Sequence, residues 1–348
     1  MSTETGPTEP GSAGGANDTG GTAGGPNDTG GTAGGPNGDP AGSDTTTRRG
    51  RLDRLRASPF LSELLSNRLA LTGLGIIAGV LVLAVVARFS LSYDAITASR
   101  LGGTIPDRAP PGWLGPAPVD QYLFGTDASA RDIFKRSAYG AWLAVKFGTV
   151  AVGVSTAAGV TLGIVAAYYG DVADNVVMRT MDVLLAFPSL LLALAIVAIF
   201  GAGLWKATIA LIMVYTPRFA RVVRGAALKV LEDEYIEATE ALGASDPRVL
   251  ARHVFPNTLA PITVQSTLNF GLAIIDLAAL SFLGFGAQAG APSWGLMLSR
   301  GVENGLLTGK WWMSFFPGLL LALTVLGFNL LGDGMRDALD PRMRDAID

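Results

Sequence analysis

The chain has 348 residues, of which 49% are hydrophobic and only 16% are charged, whereas a typical soluble domain carries about 25% charged residues. Because this deficit is concentrated in long uncharged runs, the composition favours an integral membrane protein. A net charge of −3 gives no indication of a nucleic-acid partner, and the absence of cysteine together with a single histidine leaves no Cys- or His-based metal site.

The N-terminal segment, residues 1–47, is polar and rich in glycine, and its ten-residue unit GGANDTGGTA recurs as GGPNDTGGTA. A segment of this composition cannot bury enough apolar surface to offset the entropy that ordering would cost. Five arginines follow between positions 48 and 56. We therefore predict that residues 1–57 are a disordered tail ending in a basic juxtamembrane segment. The tail is too long and polar for a cleaved signal peptide, so the first apolar run should be retained as an anchor.

Six apolar runs follow the tail, and each is near or above the roughly 20 residues that cross a hydrocarbon core of about 30 Å. The runs are 69–88, 141–169, 182–200, 205–223, 266–286 and 311–332. We predict an all-α integral membrane protein in which residues 58–348 form one domain with six transmembrane helices. Only Gly201-Ala202-Gly203 separates the third run from the fourth, which predicts a tight turn, and Pro188 and Pro217 predict kinks within these two helices.

Lysine and arginine are distributed unequally between the two sides of this predicted topology. Sixteen of them flank the runs on the side that carries both termini, against eight on the other side. Cytoplasmic loops are enriched in these residues, so the bias predicts that both termini are cytosolic. All six tryptophans then fall on the outer side, several of them at helix ends, where an aromatic belt is expected.

The segment 225–265, between the fourth and fifth runs, is a polar, basic and amphipathic loop. Its pattern predicts a short helix over 234–242 that Gly243 ends, and then a second helix that Asp246 caps and that stops near Pro256. A rigid helix pair of this kind can present a docking surface to a soluble partner and transmit a force. The same pattern also fits two amphipathic helices that merely connect two spans along the membrane surface, and periodicity alone does not separate the two interpretations.

The stretch EATEALGASDPRVLARHVFPN within this loop resembles the EAA loop of bacterial and archaeal ABC import permeases, which seats in a groove of the ATPase subunit. Threonine replaces the second alanine of the family motif, and His253 stands where the broad pattern has isoleucine. The residues to which the resemblance assigns ATPase coupling are Glu237, Ala238, Thr239, Gly243, Asp246 and Pro256. We interpret His253 as a packing residue of the loop rather than as a proton switch.

Further segments resemble the same family in the same order along the chain. They are Phe124–Asp127 with Arg131-Asp132, Asp182–Ser189, Pro217–Gly225, Phe282–Gln288 and Asn329–Arg342. One departure is Ala130, which occupies a position where the family pattern has glycine, so a different local turn is expected there. The resemblance covers about 68–344 and is specifically to the C-type permease of dipeptide and oligopeptide importers, whereas the glycine-rich tail has no counterpart.

The resemblance implies the type I ABC importer permease fold and a place in the cytoplasmic membrane of a prokaryote. It further implies a second, homologous B-type permease, two ABC ATPase subunits and an extracytoplasmic solute-binding protein as partners. The solute is expected to be a dipeptide or oligopeptide, with nickel and sugar importers as alternatives. Because the chain has no GxxxxGK[ST] motif, no nucleophile–base set and no HExxH motif, we predict that it is not an enzyme and binds no cofactor of its own. ATP and Mg²⁺ are expected to bind to the partner ATPases.

Asp276 lies at the centre of the fifth apolar run. A charged residue at mid-membrane costs at least about 2.5 kcal/mol, so its side chain should face protein or water. We interpret it either as part of the translocation pathway or as a hydrogen-bond partner of a neighbouring helix, in this chain or in the partner permease. An alternative function, an ion-gradient-driven secondary transporter, would use the same carboxylate, although the paired broken helices typical of that class are not apparent. A membrane scaffold that recruits proteins without transporting a solute is a third interpretation.

Overall fold

The computed structural model of the protein describes residues 59–103, 106–114 and 122–339. The predicted tail, residues 1–57, lies outside these ranges. The helices are α1 (Pro59–Ser66), α2 (Arg68–Ser90), α3 (Tyr93–Thr97), α4 (Ile133–Tyr169), α5 (Asp171–Leu185), α6 (Ser189–Phe200), α7 (Leu204–Leu231), α8 (Glu234–Ala241), α9 (Asp246–Val249), α10 (Phe255–Phe282), α11 (Trp294–Asn304) and α12 (Trp312–Leu339), with a π turn at Leu250–Val254 and a 3-10 turn at Leu306–Thr308. Within the described ranges the only β-type pairing is an isolated bridge between Thr126 and Asp132, so the predicted all-α class is confirmed.

Four helices of the described chain are long and apolar enough to cross a membrane: α2, α4, the continuous helix Asp246–Phe282 and α12. The bent pair of α5 and α6 adds a fifth crossing if its two halves form one span. Helix α7 covers the fourth predicted run, and its 28 residues extend over about 42 Å. It is not one of these four apolar helices because it contains Lys206 and three arginines. Each of the six predicted runs is therefore largely helical, as expected for an integral membrane protein.

The third predicted run, 182–200, is not the single kinked helix that the sequence predicts. It is divided before Pro188 into α5 and α6, which are bent by 91° relative to each other. Proline disfavours the helical conformation in the residue that precedes it, and Pro188 itself has ψ 132°, so α5 ends and a new helix begins. Helix α6 has 12 residues and extends over about 18 Å, so it is too short to cross a membrane by itself.

Small residues allow α4 and α7 to pack closely at the centre of the fold. A Cβ atom added to Gly159 would stand 2.8 Å from the carbonyl oxygen of Thr216. A Cβ atom added to Gly163 would stand 2.6 Å from the carbonyl oxygen of Ala220. Helices in a membrane associate through such close packing, because the surrounding lipid is as apolar as their side chains. The two glycines thus make the α4–α7 pair the central contact of the bundle.

Helix α8 forms and ends as the sequence predicts. Gly243 follows it with φ 83°, a left-handed conformation that strains any residue with a Cβ atom. The N–H of Gly243 donates to the carbonyl oxygen of Glu240 (2.8 Å), and the N–H of Ala244 donates to that of Thr239 (3.3 Å). This pair of hydrogen bonds is a Schellman motif, which satisfies the last carbonyl groups of the helix.

Two details of the predicted second helix are wrong. Ser245 occupies the cap position, and Asp246 is the first helical residue. The helix also does not stop near Pro256 but passes through the π turn Leu250–Val254 and continues to the end of α10, over 37 residues in all. In the π turn the N–H of Phe255 donates to the carbonyl oxygen of Leu250, five residues earlier. The hydrogen-bond register of the helix therefore shifts just before Pro256, and the helix tolerates the N–H group that proline lacks. The loop and the fifth span are therefore one continuous helix.

Ala130 adopts φ 57°, in the left-handed region that favours glycine. The turn around it is held by Asp127, whose Oδ1 accepts hydrogen bonds from the N–H groups of Ser129 (2.8 Å) and Arg131 (3.0 Å). The N–H of Ala130 in turn donates to the carbonyl oxygen of Asp127 (3.0 Å). These bonds hold an alanine in a conformation that glycine would adopt without strain.

Candidate functional site

Three buried apolar side chains fix the loop between α7 and α10 to the membrane helices. Ile236 of α8, Val249 of α9 and Val254 of the π turn are 2%, 0% and 0% exposed. They belong to one apolar cluster with Val160, Ile164, Ala167, Val223, Ala227 and Ile262 of α4, α7 and α10. Burial of such a side chain contributes about 1.5–3 kcal/mol, so the loop is held as a rigid part of the bundle.

Asn257 joins the two arms of this loop. Its Nδ2 donates to the hydroxyl oxygen of Tyr235 on α8 (3.0 Å) and to the carbonyl oxygen of His253 (2.8 Å). The rings of His253 and Tyr235 lie 6.0 Å apart and tilted by 54°. His253 therefore packs within the loop, which agrees with its predicted role. The contact with Tyr235 was not predicted, although the Pro-Asn pair of the motif was a signal for it.

Five of the six predicted coupling residues lie on the exposed surface of the loop. They are Glu237 and Ala238 on α8, Gly243 after α8, Asp246 at the start of α9 and Pro256 at the start of α10. Thr239 is half-buried, and its Oγ1 donates to the carbonyl oxygen of Tyr235 (2.7 Å). Its hydroxyl group is therefore engaged within α8 rather than presented to a partner.

Leu242 is an apolar side chain that the sequence analysis missed, and it is 90% exposed. It lies six residues after the buried Ile236, which places it about 240° around the helix axis, on the side away from the bundle. The sequence signal for this exposed side chain was the position of Leu242 outside the stripe of apolar residues that α8 buries. Acidic residues accompany it on the exposed surface of α8, where Glu234, Glu237 and Glu240 lie. The loop thus presents one protruding leucine beside an acidic helix.

Two ion pairs join α5 to α7, just before α7 enters the loop. The guanidinium nitrogens Nε and Nη2 of Arg224 both donate to the carboxylate of Asp174, at 2.5 and 2.6 Å. Nη2 of Arg221 donates to Oδ1 of Asp182 at 2.6 Å, but both of these side chains are more than half exposed. The bidentate, partly buried pair of Arg224 and Asp174 is the stronger contact, whereas an exposed pair such as that of Arg221 and Asp182 contributes little to stability. The sequence indicated helices at these positions but not this connection.

Asp276 forms a hydrogen bond between two helices. The hydroxyl group of Tyr215 on α7 donates to Oδ2 of Asp276 on α10 at 2.7 Å, and Tyr215 is completely buried. The guanidinium carbon of Arg218 lies 5.5 Å from the centre of the Tyr215 ring. This geometry agrees with the interpretation of Asp276 as a partner of a neighbouring helix, while a role in a translocation pathway stays a prediction.

Comparison with known proteins places this site in context. Residues 159–345 match the family described as binding-protein-dependent transport system inner membrane component. The dipeptide transport system permease protein DppC of Alkalihalophilus pseudofirmus is 44% identical over 282 residues, which cover 81% of this chain and 88% of that protein. The di/tripeptide transport system permease protein DppC of Pseudomonas aeruginosa is 43% identical over 237 residues (68% and 77% covered), and the glutathione transport system permease protein GsiD of Escherichia coli is 40% identical over 278 residues (80% and 88%). Among solved structures, the inward-facing MetNI methionine ABC transporter is similar with a TM-score of 0.48 and 18% identity, over 59% of this chain and 97% of that chain.

Proposed function

Because the chain belongs to the family of binding-protein-dependent transport inner membrane components, the permeases of ABC importers, we propose that it carries dipeptides or oligopeptides across the cytoplasmic membrane with energy from partner ATPases. The similar proteins named for dipeptides, di/tripeptides and glutathione support a peptide as the solute. The observation that carries the mechanism is the loop between α7 and α10, which is anchored by buried side chains, exposed on its other face and continuous with a membrane helix.

In the proposed mechanism the exposed surface of α8, with Glu237, Ala238 and Leu242, docks on an ATPase subunit. Closure of the ATPases pushes on α8, and Gly243 holds the angle between α8 and α9. The continuous helix Asp246–Phe282 carries the displacement into the membrane without a flexible joint. Contacts of the loop with α4 and α7 spread the displacement to the bundle, which alternates between inward-open and outward-open states.

The proposed assembly contains a second, homologous B-type permease, two ABC ATPases and an extracytoplasmic solute-binding protein. Both termini and the loop lie on the cytosolic side, with residues 1–57 as a tail and residues 58–348 as the membrane domain. ATP and Mg²⁺ are bound by the ATPases, and this chain contributes positioning and coupling rather than chemistry. A peptide substrate, rather than nickel or a sugar, is the solute to test first.

Purification of this chain from its native membrane in mild detergent tests the assembly. We expect a second six-helix permease and P-loop ATPases to co-purify in stoichiometric amounts, as mass spectrometry can establish. The co-purifying binding protein can then be screened for its ligand with di- and oligopeptides. Recovery of this chain alone or as a homo-oligomer, with intact uptake in liposomes driven by an ion gradient, would contradict the proposal and favour an ion-coupled transporter.

Leu242→Asp is expected to remove the ATPases from that preparation while the second permease remains. Burial of a leucine contributes about 1.5–3 kcal/mol, so replacing it with a charged residue should lower ATPase recovery by roughly tenfold or more. Leu307→Asp is the matched control, because Leu307 is equally exposed but lies between α11 and α12, away from the loop. Equal ATPase recovery with the two variants would argue against docking at Leu242.

Asp276→Asn is expected to leave peptide uptake within about twofold of wild type, because the amide oxygen of asparagine still accepts the hydroxyl hydrogen of Tyr215. Tyr215→Phe removes the donor and leaves a buried carboxylate without its partner, at a cost of about 1–3 kcal/mol, so less assembled protein is expected. Uptake is measured per molecule of protein in the membrane. Loss of uptake in Asp276→Asn with normal assembly would reject the helix-bridging role and place Asp276 in the pathway.

A further inference from the structure

A partly open cavity lies at the end of α4 remote from the loop described above. Its volume is about 40 Å³. It is lined by Asp127, Arg131, Ile133, Arg136, Gly290, Leu296, Met297, Arg300, Gly301 and Met313. We call it the arginine cavity, because three of these side chains are arginines. Arg136 lies in the first turn of α4, whereas Ala167, near the other end of this 37-residue helix, contacts the loop.

Arg136 is the buried charge of the arginine cavity, and its side chain is only 3% exposed. Its Nη1 donates to the carbonyl oxygens of Ile96 (2.9 Å) and Gly290 (3.1 Å), and its Nη2 donates to that of Ala291 (3.2 Å). Its Nε–H has no hydrogen-bond partner, although it is shielded from solvent. Carbonyl oxygens accept three of the other four N–H groups but do not neutralise the charge, so the Nε–H donor and the buried positive charge are left incompletely compensated.

Among the residues that the structure describes, Asp127 is the only carboxylate that lines the cavity, and it is already engaged by another arginine. Its Oδ2 accepts from Nε of Arg131 at 2.8 Å, whereas Nε of Arg136 is 3.6 Å away from the same oxygen. Arg300 pairs with Glu303, and both of these side chains are more than half exposed. Asp132, the remaining nearby acid, pairs with Lys135 at 3.4 Å. Because Glu303 pairs with Arg300, Asp127 is the one carboxylate for the two guanidinium groups of Arg131 and Arg136, which leaves an excess of positive charge.

We propose that the arginine cavity binds one small monovalent anion, a halide ion or a carboxylate group, which accepts the free Nε–H of Arg136. The cavity volume of about 40 Å³ exceeds the roughly 10–15 Å³ that one water molecule requires, so the cavity accommodates a chloride ion or a carboxylate group. The bound anion neutralises the excess charge and so stabilises Arg136 where it holds three chain segments together. These are α3, the start of α4 and the segment before α11.

The test uses the purified full complex in nanodiscs, with thermal unfolding followed by tryptophan fluorescence. The buffer salt is 2-morpholinoethanesulfonate, a bulky sulfonate without a carboxylate group, and chloride or formate replaces it at constant ionic strength. We expect a saturable rise in Tm of about 2–4 °C. Alanyl-alanine and its C-terminal amide, added in the sulfonate buffer, distinguish the sources of the anion. A shift with chloride and formate identifies a free ion, whereas a shift with alanyl-alanine but not with the amide identifies the carboxylate of a peptide.

A matched pair of variants makes the test specific for charge. Met297 lines the cavity, and Met297→Glu supplies a carboxylate of similar side-chain length, while Met297→Gln supplies the same shape without charge. In the sulfonate buffer we expect Met297→Glu to have the higher Tm of the two and to lose the response to chloride, which Met297→Gln retains. A lower Tm for Met297→Glu than for Met297→Gln, with no chloride or formate response in the wild type, would overturn the proposal and leave water in the cavity.

Discussion

Gly243→Val is expected to reduce ATP-driven uptake by roughly tenfold or more while the protein still reaches the membrane and the complex still hydrolyses ATP. Position 243 has φ 83°, where a β-branched side chain is strained by about 1–2 kcal/mol. Relief of this strain breaks the Schellman motif and changes the angle between α8 and α9. The open space around position 243 means that no steric clash contributes, so the effect is conformational.

A series of substitutions at Gly243 separates backbone conformation from charge. Gly243→Asn is the conservative variant, because asparagine tolerates positive φ, and we expect it to retain most of the uptake. Gly243→Asp has the same shape but adds a negative charge beside the acidic surface of α8, so it is expected to uncouple hydrolysis from uptake. Uptake and ATPase activity are measured on the same proteoliposomes. Normal uptake in both Gly243→Val and Gly243→Asp would count heavily against the docking role of the loop.

Gly159→Val is expected to cause the second large effect, a loss of folded protein rather than of coupling. The added Cβ would stand 2.8 Å from the carbonyl oxygen of Thr216 and 2.9 Å from the backbone nitrogen of Ala220. These are backbone atoms of α7, so the clash is relieved only if α4 and α7 move apart. Overpacking costs about 1–3 kcal/mol, and a valine at this contact should reduce the yield of assembled complex by roughly tenfold. The readouts are membrane yield and Tm.

Gly153→Val is the control for this prediction, because it places the same substitution on the same helix. Gly153 is exposed, and a Cβ atom there would meet nothing within 4 Å. We expect its yield to stay within about twofold of wild type. An equal loss with Gly153→Val would show that valine is harmful anywhere on α4, and would remove the close α4–α7 contact as the cause.

The two sets of variants probe different properties of one molecule. Gly243 variants are expected to change the uptake obtained per ATP hydrolysed, at unchanged yield. Gly159→Val is expected to change the yield, with the remaining protein transporting normally. This distinction follows from position, because Gly243 lies on an exposed turn of the loop and Gly159 lies at the central helix contact.

Much of this architecture depends on local sequence and was therefore predictable. The six apolar runs are largely helical, since a stretch of about 20 apolar residues has few other structures available in lipid. Helix α8 ended at Gly243 as predicted, because a glycine that must adopt positive φ is a local requirement. The continuation of the helix through Pro256 was not predicted, because a π turn a few residues earlier changes the hydrogen-bond register that proline would otherwise break.

By itself, the amino-acid sequence determined the membrane class, the family resemblance and the existence of a helical loop between the fourth and fifth apolar runs. Only the tertiary structure decided which side chains meet across the chain. The bond from Tyr215 to Asp276 joins residues 61 positions apart, and the bond from Arg136 to Gly290 joins residues 154 positions apart. Such contacts depend on how the helices pack, and close packing is set by glycine and alanine surfaces on several helices at once rather than by any local pattern.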